Sequence, residues 1–347
     1  MSTQSDRSRV FENVQAARAL AALAVVAYHI GVLPFGQCGV DIFFVISGFI
    51  MSYVAPGEGR GFLPRRLVRI LPLYWLSTLG VYFIAMFSPH WLNTTTAGAV
   101  YLVKSLLFIP YMKANGHWGP LNLNGWTLEY EMFFYLVISL AMLLVQSRFA
   151  TTASAVLLAT YCALTASIKP SNPVVDYLGQ PFLLEFGLGV LSYWLLQWVR
   201  TECLPQWSSL TLAVFSLATM PAYFYLHGAP NGFTRTLAYD IPAFVFIASL
   251  IALEMRGWST RSYLTDGLGA ASYAIYLLHP YVVGILEKKL LTIQPDLNSW
   301  RGASATLIVI VVVCVVGVIC HVFVERPTVA YLNRQFGRRR TPAAGPA

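Results

Sequence analysis

The sequence predicts an all-α, polytopic integral membrane protein, and three observations predict it. Of 347 residues, 57% are hydrophobic and only 11% charged, less than half the charged share of about 25% that a soluble domain carries. The mean hydropathy is +0.61. The apolar residues fall into blocks of about 20, the length that crosses a hydrocarbon core of about 30 Å as a helix. An ordinary soluble enzyme is therefore excluded. The formal charge of +8 would suggest nucleic acid on a soluble chain, but here the cations sit mostly beside helix ends. Topology and anionic headgroups account for them there, so no nucleic-acid partner is expected. The cysteines, Cys38, Cys162, Cys203, Cys314 and Cys320, are odd in number and contain no C-x-x-C pair, which indicates neither a disulfide framework nor a zinc site.

Apolar blocks bounded by turn residues define about ten spans, at residues 14–33, 37–55, 66–87, 126–146, 150–168, 178–199, 207–227, 237–255, 269–290 and 303–325. Residues 97–114 form a shorter apolar stretch interrupted by Lys104 and ending near Pro110, which reads as an interfacial or re-entrant helix. The first span follows Arg7 and Arg9 and lacks an A-x-A cleavage site, so it reads as a retained helix and not a signal peptide. Ten spans place both termini on one side. With the N-terminus inside, fifteen Lys and Arg fall in inner segments and seven in outer ones, while Arg18 lies within the first span. The positive-inside rule then puts both termini in the cytoplasm, with the chain in the inner (plasma) membrane. No linker, soluble domain or fixed-period repeat interrupts the pattern. Residues 1–347 read as a single membrane domain with a core at 14–327 and a short basic tail at 334–347.

A charged side chain at mid-bilayer costs about 2.5 to 3.5 kcal/mol on insertion scales, so each one inside a span is expected to face protein, water or substrate. Arg18 and His29 lie eleven positions apart, about 16.5 Å of rise and within roughly 20° of three full turns, hence on one face. The second span opens Gly39-Val40-Asp41-Ile42-Phe43-Phe44-Val45-Ile46-Ser47-Gly48-Phe49. Asp41 enters at the depth of His29, where a carboxylate can fix the ring tautomer and stabilise the imidazolium; it can equally cap the helix N-terminus. Ser47 and Gly48 suit close helix packing.

At the start of the third span, Arg66 and Arg69 are neighbours on one helical face. Their planar forks suit phosphate oxygens, although topology alone also explains arginines at this boundary. The fourth span opens Gly125-Trp126-Thr127-Leu128-Glu129-Tyr130-Glu131. Its carboxylates are about 200° apart on a helix, so they are no acid/base pair, and only one of them is expected to face the interior. In the ninth span Ser272, Tyr276 and His279 follow an i, i+4, i+7 stripe, a hydrogen-bonding face. Glu325, in Glu325-Arg326-Pro327, is placed to pair with an arginine on the cytoplasmic side. Six histidines without H-x-H or H-E-x-x-H spacing argue against a metal site, and there is neither a G-x-S-x-G elbow nor a P-loop.

Taken in order, these motifs resemble the membrane acyltransferase-3 family, and within it the exopolysaccharide O-acetyltransferases of the succinoglycan-modifying type. The carriers are Arg18 and His29 as R-x10-H, Gly39 to Phe49, Arg66 and Arg69 as R-x-x-R, Gly125 to Tyr135, Ser272 to Pro280, and Glu325-Arg326-Pro327, covering residues 18–327. Glu131, not Glu129, matches the family carboxylate, and the chain lacks the appended extracytoplasmic hydrolase-like domain of some members. The resemblance implies transfer of an acyl group, usually acetyl, from cytoplasmic acetyl-CoA to a sugar hydroxyl of a glycan or lipid-linked oligosaccharide, beside polysaccharide biosynthesis machinery and without a metal.

On that reading Arg66 and Arg69, with Arg18, hold the donor phosphates. His29, buried in the membrane and oriented by Asp41, takes the acceptor proton or carries the acyl group. Glu131 contacts the acceptor, and Trp126, Ser272, Tyr276, His279 and Glu325 form the surrounding network. Two alternatives stand beside it: a small, macrolide-like acceptor, and a proton-coupled transporter, since ten helices with buried Arg, His and Glu also suit a carrier.

Overall fold

The computed structural model describes residues 11–88, 90, 92, 97–113, 116–198, 205–290 and 294–336. Arg7, Arg9, Arg200, Cys203, Arg338, Arg339, Arg340 and most of the basic tail lie outside the described residues. The helices are α1 (Glu12–His29), α2 (Cys38–Glu58), α3 (Phe62–Phe87), α4 (Ala99–Leu106), α5 (Gly125–Leu144), α6 (Ser147–Ile168) and α7 (Pro173–Leu178). They continue with α8 (Phe182–Trp198), α9 (Gln206–His227), α10 (Gly232–Arg235), α11 (Ile241–Met255), α12 (Tyr263–Ile285), α13 (Trp300–Cys320) and α14 (Arg326–Phe336). Among the described residues the only β contact is a single antiparallel bridge between Met112 and Trp118.

Nine segments among the described residues are long and apolar enough to cross a membrane, against the ten expected. The missing one is α1, because Glu12, Asn13, Gln15 and Arg18 load its first half with polar groups. Those groups are satisfied by protein. Glu254 of α11 accepts the backbone N–H groups of Glu12 and Asn13, each at 2.8 Å, placing an anion on the N-terminus of α1. The Asn13 amide donates to Leu250 O and Trp258 O, and its oxygen accepts from Thr260. The short stretch before α5 does contain a short helix, α4, as expected. The last span is longer than expected: α13 runs through a π-helical turn, His321–Glu325, into α14, so the first residues of the anticipated tail are helical.

In the second span, 78% of the most apolar window is buried, against 17% for the segment Trp300–Gln335. That difference puts α2 at the centre of the bundle and α13 at its rim. The closest approach in the interior is between α2 and α8, its most extensive partner. A Cβ built on Gly48 would stand 2.1 Å from Phe186 O, and one on Gly189 the same distance from Val45 O. Only glycine lets these two backbones touch. Ser47, expected beside Gly48 as a packing residue, turns the other way and hydrogen-bonds instead. α1 packs chiefly on α12. A Cβ on Gly269 would meet Gln15 O at 2.4 Å, Arg18 reaches Ser272, and His29 reaches His279, so α1 and α12 run in the same direction. α1 therefore traverses the bundle although its composition alone does not qualify it.

Candidate active site

Between α1, α2, α3, α5 and α12 lies a cavity of about 380 Å³. Its wall on α2 includes Val40, Phe43, Ser47, Ile50 and Val54, which recur every three to four residues along one helical face, with Ile46 and Tyr53 at its margin. At one end stand three guanidiniums, Arg18, Arg66 and Arg69. Toward the other end the cavity is lined by Val40, Phe43, Thr127 and Tyr276. The Tyr276 hydroxyl donates to Thr127 Oγ1 at 3.1 Å, and the Phe43 and Tyr276 rings meet edge-on at 5.7 Å between centroids.

The arginines differ in their commitments. Arg66, 9% exposed, is held at 2.6 Å by Glu58, the last residue of α2. Arg18 Nε donates to Ser272 Oγ at 3.2 Å. The charges acting on Arg18 are Arg69, Glu325 and Glu131. Arg69 is exposed and makes no ion pair among the described residues, so it presents the least committed guanidinium to an incoming anion. Glu325 does not pair with a cytoplasmic-side arginine in the way expected; its carboxylate bonds His321 at 2.8 Å, one turn back along the π-helical segment, which turns both side chains to one side. Part way up the cavity, Glu131 accepts hydrogen bonds from the Tyr135 and Ser47 hydroxyls.

Both carboxylates of the fourth span are inside, contrary to the expectation that only one would be. Glu131 faces the cavity. Glu129 points the opposite way, as its 200° offset requires, but is only 1% exposed because α7 covers that face; Tyr177 donates to its Oε2 at 2.8 Å. Trp126 is not among the residues that line the cavity; its ring lies 5.1 Å from Phe182.

Beyond that end, Tyr276 leads to an imidazole pair. The Tyr276 and His279 rings are 6.1 Å apart, and His279 Nε2 lies 3.1 Å from His29 Nδ1. Two expectations fail here. His29 is not buried: it is the last residue of α1, before the turn at Gly31 (φ 76°), and its side chain is exposed outside the cavity lining. Nor is it oriented by Asp41. That carboxylate, 0% exposed, receives Arg235 Nε at 2.7 Å and Nη2 at 2.6 Å, a bidentate pair in which α10 supplies the cation. Asp41 lies on the α8-facing side of α2, and one oxygen each of Asp41, Glu185 and Asp240 fall within 4.8 Å of one another.

Sequence reasoning missed Glu58, Arg235, Glu185 and Asp240. Glu58 lies in a glycine-rich stretch, Gly57-Glu58-Gly59-Arg60-Gly61, that gives no sign of a catalytic motif, and Arg235 counts from sequence only toward topology. A signal existed for the others: Glu185 and Asp240 each interrupt an apolar run, where a carboxylate demands a partner.

The acyltransferase-3 family, described as an acyltransferase domain, matches residues 11–321. The chain belongs to this family. It is a membrane acyltransferase, and membership decides between the enzyme and the carrier. The Rhizobium meliloti exopolysaccharide production protein ExoZ is 30% identical over 320 residues, covering 89% of this chain and 93% of that protein. Acyltransferase MdmB of Streptomyces mycarofaciens is 28% identical, with 95% and 93% covered. The putative peptidoglycan O-acetyltransferase YrhL of Bacillus subtilis is 26% identical over 97% of this chain but 57% of its own length. No solved structure matches.

Proposed function

We propose that this acyltransferase moves an acetyl group from cytoplasmic acetyl-CoA to a sugar hydroxyl of a cell-surface glycan or its lipid-linked precursor. It is read as one domain of the inner membrane, with both termini in the cytoplasm. The observation that carries the proposal is the cavity, which has guanidiniums at one end and, at the other, Tyr276, one ring contact from an imidazole pair. A polyanionic donor is drawn to Arg18, Arg66 and Arg69, which suit its phosphates through bidentate, charge-assisted hydrogen bonds. The apolar length of the cavity accommodates an extended thioester arm, and Glu131, Ser47 and Tyr135 offer the polar contacts part way along. The names of the relatives, one an exopolysaccharide production protein and another a putative peptidoglycan O-acetyltransferase, support a glycan as acceptor.

In the proposed reaction the acceptor reaches His29 from the open end of α1. The hydroxyl oxygen attacks the thioester carbonyl while its proton passes to His29. The tetrahedral adduct then expels the coenzyme A thiolate, which takes that proton back from the imidazolium. General-base action of this kind is worth about 10² to 10⁴ in rate. The test is thiol release from acetyl-CoA by purified protein with a glycan acceptor. Release that depends on acceptor and falls to background in His29→Ala, with the variant still folded in detergent, is the expected result. Wild-type turnover in His29→Ala refutes the assignment, and acyl-protein trapped with donor alone redirects it to an acetyl-His29 intermediate.

A further inference from the structure

The sequence led to Asp41 as the group that orients His29, and the structure gives Asp41 to Arg235 instead. Something else must hold an imidazole that ends a helix and faces open space. We propose that His279 of α12 is the positioning residue of the reaction, fixing the tautomer and the direction of the His29 ring; this rests on His29 acting as the base in the proposed function.

The hydrogen-bond network assigns the protons. His279 is completely buried, at 0% exposed. Its Nδ1 lies 2.9 Å from Tyr276 O and 3.3 Å from Ile275 O, carbonyl oxygens that only accept, and farther, at 3.4 Å, from the Asn124 amide nitrogen, so the two carbonyls prevail: Nδ1 carries the hydrogen and Nε2 carries the lone pair. That lone pair faces His29 Nδ1 at 3.1 Å. His29 Nδ1 also lies 2.9 Å from Val25 O, a second acceptor. With two acceptors before it, Nδ1 of His29 holds its hydrogen and shares it between them. The other nitrogen, Nε2, is left unprotonated and takes no hydrogen bond among the described residues. A general base needs this arrangement: a free lone pair on the open side and a donor nitrogen tied down behind it.

The two acceptors do different things. Val25 is on the same helix as His29, so its carbonyl moves with the end of α1 and by itself anchors neither the ring nor its tautomer against the rest of the bundle. His279 is on a neighbouring helix, and its own ring is fixed by Tyr276 O and by burial. The rings meet edge to face, 4.7 Å apart and at 63°. The end of α1 is thereby registered against α12, the helix whose Tyr276 lines the cavity. When His29 takes a proton, the enlarged charge on its Nδ1–H is met by a neutral, already oriented acceptor. His279 itself touches neither the cavity nor the open face, so its part is to position.

The test compares His279→Leu with His279→Gln in purified protein, whose amide oxygen can accept from His29 Nδ1. In His279→Leu, kcat should fall about 100-fold, within the range that misplacing a general base produces, while the donor KM stays within about twofold. His279→Gln should recover at least tenfold of that loss. ¹⁵N spectra of histidine-labelled protein should report a single Nδ1–H tautomer for His29 in the wild type and a mixture in His279→Leu, a change that loss of packing alone does not make. An unchanged kcat in His279→Leu, or a Leu variant and a Gln variant equally impaired, overturns the inference. If His29→Ala also keeps wild-type turnover, the proposed function has failed; if His29→Ala is dead and His279→Leu is not, only the positioning role has.

Discussion

Replacing Asp41 or Arg235 separates a structural ion pair from a catalytic one. Around Arg235 the protein gathers three carboxyl groups, with one oxygen each of Asp41, Glu185 and Asp240 within 4.8 Å of one another. Arg235 is 9% exposed, and Asp41 is 0%. The guanidinium gives Asp41 two charge-assisted hydrogen bonds and also lies 5.3 Å from the ring centres of both Phe182 and Tyr239. Arg235→Met leaves three buried carboxyl groups with no cation, the situation in which breaking a buried pair costs about 3–5 kcal/mol. Losing the two cation–π contacts adds roughly 0.5–2 kcal/mol. Asp41→Asn is milder, because Glu185 and Asp240 remain beside the cation; the loss is that of a charged hydrogen bond, about 1.5–3 kcal/mol. Thermal unfolding in detergent, followed by tryptophan fluorescence, should therefore rank wild type above Asp41→Asn above Arg235→Met, with turnover per folded Asp41→Asn molecule within about tenfold of wild type. An Asp41→Asn protein as heat-stable as wild type yet inactive refutes this reasoning and returns Asp41 to the chemistry of His29.

Other outcomes follow from the same geometry. Gly48→Ala drives a methyl group to 2.1 Å from the Phe186 carbonyl, so α2 and α8 must part, and the thermal midpoint should fall by many degrees. Gly80→Ala, in α3 with nothing within 4 Å, should instead be neutral or stabilising by about 0.5–1 kcal/mol. Arg69→Ala should raise the donor KM about tenfold in an assay at low salt, whereas Arg66→Ala should also lower the thermal midpoint because it strands Glu58. In the segment before α5, burial pushes the Tyr111 hydroxyl up to about 12. A raised value favours the folded state below the unfolded-state pKa of about 10 and loses that advantage as pH climbs through 12. The wild-type midpoint should accordingly drop relative to Tyr111→Phe across that window, and parallel curves would contradict the burial.

Much of the fold was legible because the bilayer imposes it. Apolar blocks of helical length located nine of the ten expected segments, and the interrupted stretch at 97–114 appeared as a short helix. α1 escaped that logic. Its polar first half is paid for by Glu254 and Thr260, some 240 residues away, and no local pattern announces a partner so distant. The arginines of the cavity and the stripe of α12 were legible from spacing, since helical periodicity decides which residues share a face. What the cavity demands of each was not. The commitment of Arg66 to Glu58 depends on how the turn at Gly59, with φ at 49°, brings α2 back to α3.

The misplacement of Asp41 teaches a more specific lesson, because it could have been avoided with the residues alone. Depth in the membrane follows from distance along a helix, and on that count Asp41 and His29 do match. Contact also needs direction. Asp41 and Gly48 are seven residues apart, within roughly 20° of two full turns, so they share a face of α2. A glycine inside an apolar span marks the side where another backbone comes close, and here it marks α8, through Phe186 and Gly189. Val40, Phe43 and Ser47 form a different stripe, and that one lines the cavity beneath Tyr276. The carboxylate that shares its face with the packing glycine was bound to be enclosed between α2 and α8, where only an arginine carried in by the chain itself could neutralise it. The imidazole at the open end of α1 was left to find its partner on α12.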